Sequence, residues 1–166
     1  MKPFRRIATG VCSILLLILP CAIRAHAAAP RSPAFTLPSV PEKKTVDLRD
    51  FRGKVVLVTF WATWCGPCVQ EIPALISLQE KFGPQGFSVV GISLDQGGPT
   101  VVEKLMKRTG VNYLVVMGNE QVSDEFGGIF GIPTSFLLDR EGKVLKRFTG
   151  WVSHEILAKE IAQAVE

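Results

Sequence analysis

Cysteine and histidine are scarce in this chain of 166 residues, which has four cysteines and two histidines. Cys12 and Cys21, with one of the histidines, lie in an N-terminal segment that we predict is removed. A zinc site needs about four ligands, usually two cysteine pairs or one pair with added histidines. Because only Cys65, Cys68 and His154 are then left, the sequence predicts no metal site.

An excess of charge of one sign is also missing from most of the chain. The net charge is +4, but four of the 19 basic residues and none of the 15 acidic residues lie within residues 1–27. The isoelectric point near 9 is therefore no argument for a nucleic-acid partner, and we predict none. The chain after residue 27 has no internal repeat and no low-complexity segment. It is long enough for one domain.

Residues 1–27 have the pattern of a secretory signal peptide. A basic end precedes the apolar residues 7–19, and an Ala-His-Ala sequence ends at Ala27. These are the three parts of such a signal, so we predict export and cleavage after Ala27. The alternative is an uncleaved membrane anchor through residues 7–23, whose length is at the lower limit for a bilayer-spanning helix.

The remaining sequence divides into a tether at residues 28–34 and one domain at residues 35–166. Nearly continuous apolar runs at 55–60 and 87–93 predict strands buried on both faces. Helical periodicity and turn signals predict the other elements. These are a small hairpin over 35–48 laid over the core, helices at 66–82, 99–108 and after Ser153, a short helix near 123–126, and strands at 113–117, 135–138 and 144–148.

This order of elements predicts an α/β domain, in which a central mixed sheet is flanked by helices. Ligand chemistry in such sheets lies at the carboxyl ends of the parallel strands. Cys65 and Cys68 occur at such an end, where the strand at 55–60 is followed by the helix at 66–82.

The two cysteines are better suited to redox exchange than to a structural role. A disulfide that closes so short a ring stabilises little, since the stabilisation grows with loop length. Cys65 stands at a predicted helix start, where free N–H groups and the helix dipole favour a thiolate. We therefore expect Cys65 to be the exposed nucleophile and Cys68 to be the buried, resolving cysteine. Pro67 fits the first helical turn, and Gly66 leaves the approach to Cys65 open.

Three motifs occur together in the domain. The sequence WCGPC lies at residues 64–68, Pro73 follows within the helix, and GIPT lies at residues 131–134. On these motifs the chain resembles the thioredoxin superfamily and, within it, the TlpA/ResA/CcmG-like extracytoplasmic thiol-disulfide oxidoreductases. The resemblance implies a thioredoxin-like fold over nearly all of the exported chain.

The resemblance also implies roles for individual residues. Pro133 would be a cis-proline that faces the cysteines, and the Ile132 backbone beside it would pair with an extended substrate. Trp64, with Gly66 and Pro67, would line a shallow surface on which the substrate docks. By contrast, we expect Trp61 to pack in the fold, and we interpret Trp151 and His154 as structural.

Three features are typical of the exported branch rather than of cytoplasmic thioredoxins. The first two are the leading hairpin and a strand–helix insert through residues 94–117. The third is Glu71, three residues after Cys68, in a chain that has Thr59 at the position where cytoplasmic thioredoxins keep a buried aspartate. A buried carboxyl has a raised pKa and could accept the Cys68 proton as a general base. The alternative is a solvated helix glutamate paired with a lysine.

The Gly66-Pro67 dipeptide is that of reducing thioredoxins. We therefore expect an extracytoplasmic (periplasmic) protein-disulfide reductase that needs no cofactor beyond its own Cys65–Cys68 disulfide. By resemblance, its electron donor would be a membrane thiol transporter, and its substrates would be disulfides of exported proteins, including apocytochrome c. A peroxiredoxin-like peroxidase and a copper carrier remain the alternatives.

Overall fold

The computed structural model describes residues 33–166 of the chain. The predicted signal peptide at 1–27, its alternative as an anchor through 7–23, and residues 28–32 of the predicted tether lie outside the described residues. Within residues 33–166, none of the helices combines the length and the apolar character that crossing a bilayer requires.

The described residues form one seven-stranded mixed sheet and four α-helices. The strands are β1 (Thr36–Val40), β2 (Thr45–Asp47), β3 (Val55–Trp61), β4 (Phe87–Ser93), β5 (Leu114–Met117), β6 (Thr134–Leu138) and β7 (Val144–Thr149). The helices are α1 (Gly66–Phe82), α2 (Pro99–Thr109), α3 (Glu120–Glu125) and α4 (His154–Val165). Short 3₁₀ turns follow β2 and α1. The predicted α/β class is thereby confirmed, with each element within a few residues of its expected bounds.

The strands lie in the order β2-β1-β5-β4-β3-β6-β7. The pairs β3–β4 and β4–β5 are parallel, while β6 runs antiparallel to β3 and β7 antiparallel to β6. Because β6 runs antiparallel to β3, the first residue of β6 lies beside the end of β3, with Thr134 opposite Phe60. This register brings the loop before β6 next to the junction between the end of β3 and the start of α1.

The central strand β3 is buried along its whole length because helices cover both faces of the sheet. Val55 and Leu57 belong to a core that includes residues of α1, α2 and α4. Val56 and Val58 point to the opposite face, as alternation along a strand requires, and join a second core with residues of α3 and β1. Two apolar layers therefore hold β3 and its carboxyl end in place.

The N-terminal hairpin does not lie over the core as a separate layer, so that prediction is wrong. β1 pairs antiparallel with β5, with Ser39 opposite Val116, and thus extends the main sheet. The free N–H and C=O groups on the edge of β5 need partners, and β1 supplies them. The side chains of Phe35 and Leu37 still pack into the second core.

Helical periodicity predicts Val101 and Ile156 on the inner faces of their helices, but both are exposed. Val101 in α2 and Ile156 in α4 both lie within the first three residues of their helices and remain accessible to solvent. Their neighbours Val102 and Leu157 are fully buried, which keeps the predicted helix orientations correct.

Candidate active site

The two cysteines lie at the start of α1, immediately after a tight turn. The backbone N–H of Cys65 donates to the carbonyl oxygen of Ala62 (3.1 Å) and closes this turn at the end of β3. Cys65 is the N-cap residue of α1, with an extended backbone (φ −85°, ψ 102°). Pro67 occupies the first turn of the helix, where no backbone hydrogen bond is lost.

Cys65 and Cys68 are joined in a disulfide. The backbone N–H of Cys68 donates to the Sγ atom of Cys65 (3.3 Å), so this sulfur occupies the position of a capping side-chain oxygen. When the pair is reduced, the same N–H group and the positive end of the helix dipole stabilise a thiolate at Cys65. The geometry therefore favours Cys65 as the nucleophile of the pair.

The exposure predicted for Cys65 is wrong for this oxidised state. The side chain of Cys65 is 6% exposed and that of Cys68 is 2% exposed, so both are buried. The Sγ atom of Cys65 is bonded to Cys68 and lies 3.7 Å from the carbonyl oxygen of Ile132, and these neighbours cover it. The neighbours of Cys65 along the chain, Trp64, Gly66 and Pro67, are all exposed.

The loop before β6 forms the second wall of the site. The peptide bond between Ile132 and Pro133 is cis, the geometry implied by the family resemblance. Two hydrogen bonds hold this loop: Thr134 Oγ1 donates to the carbonyl oxygen of Gly131 (2.7 Å), and the Gly150 N–H donates to that of Pro133 (2.8 Å). The backbone of Ile132 is thereby fixed beside Cys65.

Glu71 lies in α1, three residues after Cys68, and is buried, with 2% of its surface exposed. Burial raises the pKa of its carboxyl from 4.5 to about 7, and a hydrogen bond from the Val152 N–H to Oε1 (3.2 Å) opposes this rise. Within residues 33–166 no lysine or arginine forms an ion pair with Glu71. The alternative of a solvated, lysine-paired glutamate is therefore wrong.

Tyr113 is a neighbour of Glu71 that sequence reasoning missed. Its side chain is buried just before β5. Burial raises the pKa of the Tyr113 hydroxyl, and the charge of Glu71 raises it further. Tyr113 thus remains protonated, an uncharged polar group near Glu71. Only its uniqueness, as the single tyrosine of the chain, could have drawn attention to it.

The large aromatic residues near the site differ in exposure. Trp61 is buried as expected, while Trp64 is 70% exposed beside Cys65. Trp151 is 56% exposed and directly precedes Val152, the hydrogen-bond partner of Glu71, and its interpretation as structural stays a prediction. His154, the first residue of α4, is half-buried, and no hydrogen bond links it to the cysteines among the described residues.

Sequence reasoning also missed Phe130, which is 93% exposed. It lies two residues before Ile132, in the loop that contacts Cys65, and its ring packs over Gly128. A phenylalanine surrounded by glycines in the segment GGIFG was the available signal. Trp64, Trp151 and Phe130 are thus exposed apolar residues on the chain segments that form the site.

Comparison with known proteins agrees with this geometry. The Redoxin family model matches residues 27–165. The thiol-disulfide oxidoreductase ResA of Bacillus subtilis (strain 168) is 33% identical over 168 residues, which cover 95% of this chain and 92% of the relative.

Solved structures give the same result. A thiol:disulfide interchange protein of the thioredoxin family from Chlorobium tepidum TLS superimposes with a TM-score of 0.74 at 33% identity, covering 81% of this chain and 95% of that chain. The thioredoxin domain of a thiol-disulfide oxidoreductase from Bacteroides vulgatus gives 0.73 at 27% identity, with coverages of 81% and 95%. The chain therefore belongs to the Redoxin family, as a thiol-disulfide oxidoreductase of thioredoxin-like fold.

Proposed function

We propose that this oxidoreductase works outside the cytoplasm and reduces disulfides in exported proteins, among them the heme-attachment cysteine pair of apocytochrome c. The observation that carries the proposal is the sulfur of Cys65 at the amino end of α1, with the buried carboxyl of Glu71 three residues after Cys68 on the same helix. The secretory pattern of residues 1–27 and the Gly66-Pro67 dipeptide support the location and the direction.

The reaction begins with the reduced protein. The Cys65 thiolate attacks one sulfur of the substrate disulfide, that bond breaks, and the second substrate sulfur leaves and takes up a proton. Cys68 then loses its proton and attacks the Cys65 sulfur of the mixed disulfide. The substrate departs as a dithiol with two electrons gained, and Cys65–Cys68 becomes the disulfide seen in the structure.

Glu71 is placed to accept the proton of Cys68. The two residues are three positions apart on α1, so they share one helix face, and both are buried. A carboxyl with a pKa of about 7 is partly ionised at neutral pH, and it can therefore both take up and release a proton. We assign Glu71 the role of general base in the resolving step.

Substrate docking follows from the loop around Pro133. The carbonyl group of Ile132 lies next to Cys65, where an extended segment of substrate could pair with the backbone. Trp64, next to Cys65 in the chain, and Phe130, two residues before Ile132, offer exposed apolar surface. A flexible, disulfide-bearing segment with apolar side chains fits such a site better than a rigid folded surface.

A reductant outside the cytoplasm must be reduced again after each turnover, because that compartment favours disulfides. We assign this step to a membrane thiol transporter that attacks the Cys65–Cys68 disulfide. We place the attack at Cys65, whose neighbours along the chain, Trp64, Gly66 and Pro67, are exposed.

A trapping experiment tests the proposal. Cys68→Ala, expressed in the native compartment, should accumulate mixed disulfides on Cys65 with exported proteins, whereas Cys65→Ala should accumulate none. A redox titration of the wild-type pair then gives the direction, and we expect a potential below that of the compartment. Consumption of peroxide without any disulfide substrate, or copper binding that Cys68→Ala abolishes, would contradict the proposal.

A further inference from the structure

The turn that presents Cys65 is held by a residue outside the motif. We propose that Asp95 is a positioning residue for thiol-disulfide exchange: through Thr63 it fixes the turn at residues 62–65 and hence the direction in which Trp64 and Cys65 point. The inference rests on the exchange chemistry described above and is independent of the substrate or the direction of electron flow.

Asp95 contacts Thr63 through both of its carboxylate oxygens. The backbone N–H of Thr63 donates to Oδ2 (2.9 Å), and its hydroxyl Oγ1 donates to Oδ1 (2.5 Å). Thirty-two positions separate the two residues in the sequence. Two parallel hydrogen bonds of this kind fix orientation as well as distance.

Asp95 is itself held by the end of β4. The hydroxyl of Ser93 donates to Oδ2 of Asp95 (2.9 Å), and the N–H of Asp95 donates back to the Ser93 Oγ (3.1 Å). Ser93 is fully buried in β4 and lies opposite Trp61 in the register with β3. The next residue, Leu94, donates its N–H to the Trp61 carbonyl oxygen (2.9 Å). The carboxylate is therefore anchored to the rigid centre of the sheet.

The buried carboxylate of Asp95 is satisfied by hydrogen bonds alone. Asp95 is buried, and no lysine or arginine pairs with it in the part of the chain that the structure describes. A buried carboxylate is costly unless hydrogen bonds satisfy it. Here the donors are Thr63 and Ser93. The hydrogen bonds from Thr63 that satisfy the buried carboxylate therefore also hold the turn at residues 62–65.

Without Asp95 the turn would keep only its own closing hydrogen bond, from the Cys65 N–H to the Ala62 carbonyl oxygen. Thr63 would lose the acceptors of its N–H and its hydroxyl, and the Cys65 sulfur would no longer be confined between α1 and Ile132. Nucleophilic attack needs near-linear alignment, and a displacement of about 1 Å can slow a reaction about 100-fold. Asp95 thus acts on Cys65 without touching it.

The test measures the second-order rate constant of the reduced, purified protein with 5,5′-dithiobis(2-nitrobenzoate), a small disulfide that needs no docking surface. We expect Asp95→Ala to slow the reaction about tenfold or more and Thr63→Val to slow it severalfold. Thr63→Ser keeps both donors and should stay within about twofold of wild type. Thr109→Val removes a comparable hydroxyl, which bonds the Leu105 carbonyl far from the site, and serves as the control.

A double variant separates positioning from general weakening of the fold. If Asp95 acts through Thr63, the combination of Asp95→Ala and Thr63→Val should be no slower than Asp95→Ala alone, because coupled residues are not additive. Thermal unfolding of each variant identifies any loss of folded protein, and Thr63→Val and Thr63→Ser remain decisive if Asp95→Ala does not fold. Since the wild-type rate with this small disulfide does not depend on apocytochrome c, failure of the proposed function would not alter these comparisons.

The inference would be overturned by a wild-type rate for a folded Asp95→Ala protein, by equal slowing with Thr63→Ser and Thr63→Val, or by fully additive effects in the double variant. An Asp95→Asn protein as slow as Asp95→Ala, combined with an unaffected Thr63→Val, would also overturn it, because the carboxylate would then act through its charge.

Discussion

Replacing Glu71 by glutamine removes a charge that the fold accommodates poorly. The carboxyl is buried, and burial raises its pKa from 4.5 to about 7. One pKa unit corresponds to about 1.4 kcal/mol, so the ionised side chain costs the folded state about 3 kcal/mol. Glutamine keeps the shape and can still accept the hydrogen bond from Val152, but it does not ionise.

The sign of the effect follows from linkage. Because the folded-state pKa of Glu71 is raised, the folded protein binds the proton more tightly than the unfolded chain does. The stability contributed by protonated Glu71 is complete below about pH 4.5 and is lost as the pH rises through about 7. The free energy of unfolding of the wild type, measured relative to Glu71→Gln, should therefore fall by about 3 kcal/mol between about pH 4 and pH 8.5.

Urea unfolding of the oxidised proteins across this pH range measures the difference, with the disulfide intact in every sample. Glu80→Gln is a matched control, because Glu80 lies on the same helix but is exposed. The difference between Glu80→Gln and the wild type gives the effect of removing an exposed carboxyl, and the Glu71 difference is compared with it at each pH. If the difference between Glu71→Gln and the wild type changes by less than about 1 kcal/mol, the carboxyl is not desolvated in the folded protein and its assignment as the base fails.

Three further predictions concern the reaction, the docking surface and the core. Glu71→Gln should slow release of substrate from the mixed disulfide about 100-fold or more at neutral pH, as a lost general base does, and an unchanged rate in single-turnover stopped-flow would contradict this. Phe130→Ala should raise the KM for a disulfide-bearing peptide severalfold and leave the rate with a small aromatic disulfide unchanged; equal effects on both substrates would refute the docking role. Leu78→Ala, at a fully buried position of α1, should cost about 2–5 kcal/mol in urea unfolding. Leu145→Ala, at an exposed position of β7, should cost less than about 0.5 kcal/mol, and similar costs for the two would contradict the core assignment.

The local features of the site were accessible from the sequence. The apolar run before Cys65 predicts a buried strand, and Pro67 together with helical periodicity predicts the start of α1. Both are short-range patterns, and the structure places β3 and α1 within a residue of their expected bounds. The position of Glu71 could be predicted from the same helix, because its spacing of three residues from Cys68 places both side chains on one face.

The features that the sequence could not supply depend on residues far apart in the chain. Cys65 is buried because the Ile132 carbonyl lies against its sulfur, and that contact exists only once β6 has paired with β3. The pairing of β1 with β5 was not predicted for a similar reason, since pairing between distant strands leaves no local pattern in the sequence. Asp95 escaped notice because nothing in its own segment indicates that its partner is Thr63.

The most direct test of the central claim is the pH dependence of Cys65 alkylation in reduced Cys68→Ala. The capping position at the amino end of α1 should stabilise the thiolate, so the rate of reaction with iodoacetamide should titrate clearly below the value of about 8.5 for a free thiol. A Cys65 that titrates at or above about 8.5, or that does not react in the folded protein, would contradict the account.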